Sequence, residues 1–145
     1  MGTPDQDNVR RLREQFEAAN RHDTDAMIDH YAEDAVCFDH PAQQALEGHE
    51  QIRAYLASQF EAFPDVRVEE AGVIDGGEWA VSRHVLRGTH EGTFAGIAPT
   101  HRTVEVDFCN TVRWRDGKIV EDHVYYDLYT ILAQLGQAEP LTVGA

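Results

Sequence analysis

Positive charge is what this 145-residue chain has least of: 12 basic residues stand against 26 acidic ones, a formal charge of −14, and Lys118 is the only lysine. Nucleic acid and anionic membrane surfaces repel a chain with no basic stripe, so polyanion partners are excluded. No apolar run approaches the roughly 18 residues of a membrane span, and the polar N-terminus is unlike a signal sequence, so a cytoplasmic protein with no membrane partner is expected. Cysteine is scarce too. Cys37 and Cys109 lie far apart, outside any CxxC or Cys/His cluster, and read as buried free thiols rather than a disulfide or zinc site. No histidine pair has metal-ligand spacing, and no nucleophile elbow, phosphate loop or dinucleotide fingerprint occurs, so neither metal nor cofactor is expected. The lysine-poor acidic surface has two candidate causes, arginine-favouring codons in a GC-rich genome or a salt-rich cytoplasm, and the second is preferred.

A chain of this length makes one domain that buries about 70% of its unfolded surface and needs no cross-link. The domain is expected over residues 1–137, with residues 138–145 as a tail. Thr3-Pro4-Asp5-Gln6 has the form of a helix start with a capping box. Val9, Leu12, Phe16 and Ala19 then recur at helical spacing. Asp23 or Thr24 caps a short second helix carrying Met27, Ile28 and Tyr31. Residues 35–40 read as a strand stopped by Pro41. Gly48 opens a third helix with Ile52, Tyr55, Leu56, Phe60 and Phe63 inward, ended by Pro64. The period then changes from 3.6 to 2, predicting strands at 66–74, 78–90, 101–114 and 118–127, with Asp75-Gly76-Gly77 and Asp116-Gly117 as hairpin turns. A last helix over 128–135 is capped by Asp127 and ended by Gly136. Helices followed by long hairpin-connected strands predict an α+β domain in which a curved antiparallel sheet wraps helices on one face.

The strand over 101–114 locates a candidate pocket. Val104, Val106, Phe108, Val112 and Trp114 share one face, and Asn110 is the polar exception on it. An unsatisfied buried amide costs about 1 to 3 kcal/mol, so Asn110 is either a satisfied core residue or a pocket-lining group. Its neighbour depends on the next turn, since a one-residue slip flips the following strand. A two-residue Asp116-Gly117 turn places Glu121, His123, Tyr125 and Asp127 inward. A three-residue Arg115-Asp116-Gly117 loop places Val120, Asp122, Val124 and Tyr126 inward. The second is preferred because it buries the more apolar set. It leaves Asp122 beside Asn110 as the one carboxylate in an apolar setting, where desolvation raises its pKa and makes it a usable general base or acid. Of eight histidines, His22, His30, His49 and His101 fall on helix surfaces or turns and His90 braces a strand end. His84 alternates with Ala80, Ser82 and Leu86 and can reach the concave side. His40 ends the first strand near a cleft mouth.

The strings YAEDA (31–35), FPD (63–65), GTHEGTFAGIAPTHR (88–102), RWRDGKIVE (113–121) and QLG (134–136) together resemble the SnoaL-like polyketide cyclase (ester cyclase) family of the nuclear transport factor 2-like superfamily, over about residues 9 to 136. The resemblance implies a cone-shaped sheet around N-terminal helices, an apolar pocket at its open end, and a homodimer formed on the sheet's other face. It implies a pocket lined by Tyr31, Phe38, His40, Phe60, Phe94, Ile97, Phe108, Asn110, Val124 and Tyr126, for a small apolar ligand carrying a carbonyl or hydroxyl. Polyketide cyclases of the family close a ring by an intramolecular aldol reaction without metal or cofactor, using a carboxylate and a histidine on the last two strands. Those positions fall here at Val124 and Asn110. Valine cannot move a proton, so Asp122, paired with His84, is the nearest catalytic substitute, for a cyclase, isomerase or hydrolase. A ligand-binding or dimerising module without catalysis is the alternative.

Overall fold

The computed structural model describes residues 4–142 and 144, with side chains described from residue 7 onward. The capping box expected at Thr3 and Gln6 lies outside the described residues. Helix α1 (Pro4–Asn20) and the short α2 (Thr24–Asp29) are followed by β1 (Tyr31–Asp39), β2 (Gln44–Glu47) and α3 (Gly48–Ala62). Four long strands then run in sequence, β3 (Arg67–Gly76), β4 (Trp79–Thr89), β5 (Thr103–Arg115) and β6 (Lys118–Tyr126), before the closing helix α4 (Leu128–Gln134). The result is the expected α+β architecture, one curved six-stranded sheet in the order β2-β1-β6-β5-β4-β3 with helices on its concave side. The caps on α2 and α4 are the predicted ones: Asp23 Oδ1 accepts from Ala26 N at 3.1 Å, and Asp127 Oδ1 accepts from Thr130 N at 3.0 Å.

Three local features differ from the sequence-based expectation. Tyr31 does not continue α2 but begins β1, because Ile119 N donates to the His30 carbonyl at 2.8 Å and draws the chain into the sheet. The β1–β6 pairing is parallel, matching Cys37 with Asp122 and Asp39 with Val124, since these strands are not joined by a hairpin. The turn after β5 has two residues, not three. Arg115 pairs with Lys118, and Asp116 (φ 52°) and Gly117 (φ 76°) both take the left-handed conformation of a type I′ turn. The expected facing of β6 is nonetheless produced from Asp122 onward, by a bulge: Trp114 pairs with Ile119 and Arg113 with Glu121, which leaves Val120 as an extra residue and puts Ile119 rather than Val120 in the inner cluster. That one residue turns Asp122, rather than Glu121, toward the concave side.

Two apolar clusters fill the concave side. One gathers Leu12, Tyr31, Ile52, Val112 and Ile119 under α1 and α3. The other gathers Phe63, Val66, Val104, Val106, Ile131 and Leu135 toward α4.

Candidate functional site

Between the two clusters lies a cavity of about 180 Å³. Of the residues expected to line it, Tyr31, Phe60, Phe94 and Phe108 do so, as do Asn110, Asp122, Val124 and Tyr126. The rest of its wall is mostly apolar, with Gln15, Asn20, Cys37, Tyr55 and Gln59 as the other polar residues on it.

Asp122 is the one carboxylate among the lining residues and is 5% exposed. Tyr31 Oη donates to its Oδ2 at 2.7 Å and Asn110 Nδ2 donates to its Oδ1 at 2.8 Å. Burial pushes the Asp122 carboxyl above its ordinary range, while the two hydrogen bonds and the nearby His123 pull part of the way back. Tyr31 is raised as well, by burial and by the Asp122 charge. Gln15 Nε2 and Asn110 Oδ1 remain without a partner among the described residues, one a donor and one an acceptor, and both residues line the cavity.

The structure does not bring His84 to Asp122. The His84 ring is 2% exposed, packed between Phe16 and Phe108 at centroid distances of 3.6 and 5.2 Å. Phe16 and Phe108 face the cavity, and neither ring nitrogen of His84 has a partner among the described residues. Burial lowers the imidazole to about 4, opposed by the Glu70 charge.

Phe38 and His40 are corrected from pocket to outer face. The inner face of β1 carries Tyr31, Ala35, Cys37 and Asp39, so strand parity turns Phe38 outward. There Phe38, His123, His40 and Tyr125 form a run of stacked rings with neighbouring centroids at 4.6, 5.1 and 4.4 Å. The His40 Nε2 and His123 Nδ1 atoms are 2.8 Å apart. Ile97 pairs with Phe94 in the loop beyond β4 and packs against the second cluster rather than lining the cavity. His90 holds that loop, its Nδ1 accepting from Thr100 N at 3.1 Å.

Besides Asn20 and Gln59, which also line the cavity, four polar or reactive groups near it were not expected there. Gln15 belongs to the buried stripe of α1 with Asn8, Leu12 and Ala18, one position off the apolar residues that marked the helix. Cys37 lines the cavity, its thiol raised by burial and by the Asp122 and Asp39 charges. Tyr55 lines it from α3 and was read only as core. Asp39 is 2% exposed and accepts from Tyr55 Oη at 2.8 Å and Tyr126 Oη at 3.0 Å. The signal for Asp39 was its parity with Cys37, masked by the following His-Pro.

Among the described residues no group of three or more His, Cys, Asp or Glu side chains could hold a metal ion, and no helix is long and apolar enough to cross a membrane.

Comparison with known proteins agrees with the fold. Residues 9–135 match the family described as SnoaL-like polyketide cyclase. The aklanonic acid methyl ester cyclase AcmA of Streptomyces galilaeus is 28% identical over 137 residues, 94% of this chain and 95% of its own. A solved structure from Jannaschia sp. CCS1, assigned by likeness to the SnoaL-like polyketide cyclases, superposes with a TM-score of 0.87 at 26% identity, covering 97% of this chain and 98% of that one. IdmH of Streptomyces antibioticus, a suggested polyketide cyclase, gives a TM-score of 0.77 at 30% identity, covering 89% and 98%.

Proposed function

The chain belongs to the SnoaL-like polyketide cyclase family, and from that premise we propose that it carries out cofactor-free acid/base chemistry on a small carbonyl compound, with Asp122 moving the proton. The observation that supports this is one carboxyl in an apolar cavity, its pKa raised by burial and its orientation fixed by Tyr31 and Asn110. A carboxylate with a raised pKa is a stronger base than one in water, and a raised pKa brings its two protonation states closer to balance near neutral pH.

In this reading Asp122 removes a proton from the carbon next to the ligand carbonyl. The developing enolate oxygen needs a donor, and Gln15 Nε2 is an unpartnered one on the cavity wall. The enolate carbon then attacks a second carbonyl of the same molecule, and the protonated Asp122 gives its proton to the new alkoxide. The product is an isomer of the substrate, with one carbon–carbon bond formed and no atom or electron gained or lost. A cavity of about 180 Å³ is only a little larger than the roughly 150 Å³ engineered cavity that holds benzene. It suits one substituted ring, either a small substrate or the reacting end of a larger polyketide ester such as that named for AcmA.

Proton NMR of an aryl methyl ketone in D₂O tests the chemical step without the native substrate. The protein is expected to accelerate exchange of the protons next to the carbonyl, and Asp122→Asn to slow it roughly 10²- to 10⁴-fold. Exchange that survives Asp122→Asn rejects the assignment; binding with no exchange favours a ligand-binding module.

We further propose a homodimer through the outer face, supported by the partly exposed Trp79 (38%) and Tyr125 (46%) beside the stacked histidines. Sedimentation of Trp79→Glu is expected to show dissociation relative to the parent.

A further inference from the structure

The cavity has a second buried carboxylate at its back, and its contacts decide what the far end of the cavity can recognise. Asp39 and Asp122 stand on adjacent strands of the same face. Cys37 pairs with Asp122, and Asp39 lies two residues further along, about 7 Å in the strand direction. Asp122 reaches the cavity itself, whereas Asp39 meets it through Tyr55 and Tyr126, whose rings line the wall.

All three contacts of Asp39 are with donors. Its Oδ1 accepts from Ala42 N at 3.1 Å, closing the turn that follows β1. That turn has no use for Oδ2, which instead takes the hydroxyls of Tyr55 (2.8 Å) and Tyr126 (3.0 Å). A carboxylate only accepts, so both tyrosine protons point at Asp39. A phenolic oxygen still has acceptor capacity after donating its proton, and no group among the described residues donates to either oxygen.

We propose that Asp39 is a positioning residue that commits the hydroxyl protons of Tyr55 and Tyr126, so that these two wall oxygens act only as acceptors and select a ligand carrying a hydroxyl donor. The proposal rests on the cavity being the ligand site but not on turnover. Combined with the carbonyl chemistry at Asp122, it defines the substrate class as a ring bearing a hydroxyl at one end and the reacting carbonyl at the other. A ligand with a second carbonyl in place of the hydroxyl would meet two oxygens with no proton to give.

Two ligands that differ only at the far end make the test: 4-hydroxyacetophenone and 4-methylacetophenone, measured by calorimetry on the intact protein. The parent is expected to bind the hydroxyl compound about tenfold more tightly. In Tyr55→Phe and in Tyr126→Phe the preference falls severalfold, and in the double variant the methyl compound binds better. In Asp39→Asn the new amide donates to one tyrosine oxygen, and the preference drops to near parity while the variant still binds. The ratio is the readout, since a merely structural loss weakens both ligands alike. No preference in the parent, a ratio unmoved by the tyrosine variants, or binding of neither ligand overturns the proposal. Retained preference with no proton exchange upholds it and rejects only the reaction assigned to Asp122. If Asp39→Asn fails to fold, the single tyrosine variants decide.

Discussion

Glu121 and Asp122 are consecutive carboxylic acids on one strand, and the fold drives them in opposite directions. Glu121 faces outward, where the Arg113 guanidinium hydrogen-bonds it and holds it below its ordinary value of 4.5, with His123 adding to the effect. Asp122 faces inward, where loss of solvent holds it above its ordinary value of 3.8 despite two hydrogen bonds. The chemistry of each acid is set by which side of the sheet it occupies, and one extra residue, Val120, sets the side.

Inserting one alanine between Val120 and Glu121, one residue more than the bulge absorbs, breaks the comparison most completely. The register beyond Trp114 then places Glu121 in the cavity and Asp122 in water, burying an arginine-paired charge without its partner. Loss of a cooperative thermal transition is the expected outcome, read by circular dichroism. An insertion variant that melts like the parent would show that the one-residue bulge does not set the facing.

Next in size is the contrast in activity. Asp122→Asn is expected to lose most of the ketone proton exchange, whereas Glu121→Gln, one residue away, should stay within about twofold, because an outward carboxylate has no path to the ligand. Equal losses would mean that the strand as a whole, and not the inward acid, carries the effect.

A third contrast appears in stability against pH, followed by urea unfolding. Asp122 has its folded pKa above its unfolded one, so the native form binds the proton first and stability declines as pH rises from 3.8 through the folded value. Glu121 has the reverse arrangement: its contribution is present above 4.5 and lost as pH falls through the folded value. Asp122→Asn should remove the decline, and Glu121→Gln the gain. His84, neutral and buried, adds a loss on acidification from its unfolded value of 6.5 down to about 4, which His84→Phe should flatten. The smallest effect expected is the change in stability of Glu121→Gln at neutral pH, about 1 kcal/mol or less, as for a surface ion pair.

The elements behind these contrasts were visible in the sequence to different degrees. Period-2 alternation placed the four long strands to within two residues or so, and the family strings located the cone. The inward facing of Asp122 was reached by a preference for burying Val120, Val124 and Tyr126, and it held although the turn itself differs. Apolar content is what the core selects, and two different backbone routes deliver the same facing. Asp39 and Gln15 were invisible because each depends on partners distant in sequence: Asp39 on tyrosines 16 and 87 residues away, Gln15 on a cavity whose other walls come from the strands and from α3. Phe38 and His40 were drawn to the pocket by residue type, but parity with Cys37 put them outside. His84 reached the inner face as its alternation suggested, yet Phe16 stacks on the ring, a helix-to-sheet contact that strand alternation does not encode.

On the proposed function, burial makes Asp122 a proton carrier. The most direct test follows the Asp122 side-chain carboxyl by carbon-detected NMR across pH in the unliganded protein, with Glu121 as the internal reference on the same strand. The account predicts an Asp122 midpoint above 3.8 and a Glu121 midpoint below 4.5. An Asp122 midpoint at or below 3.8 would contradict it.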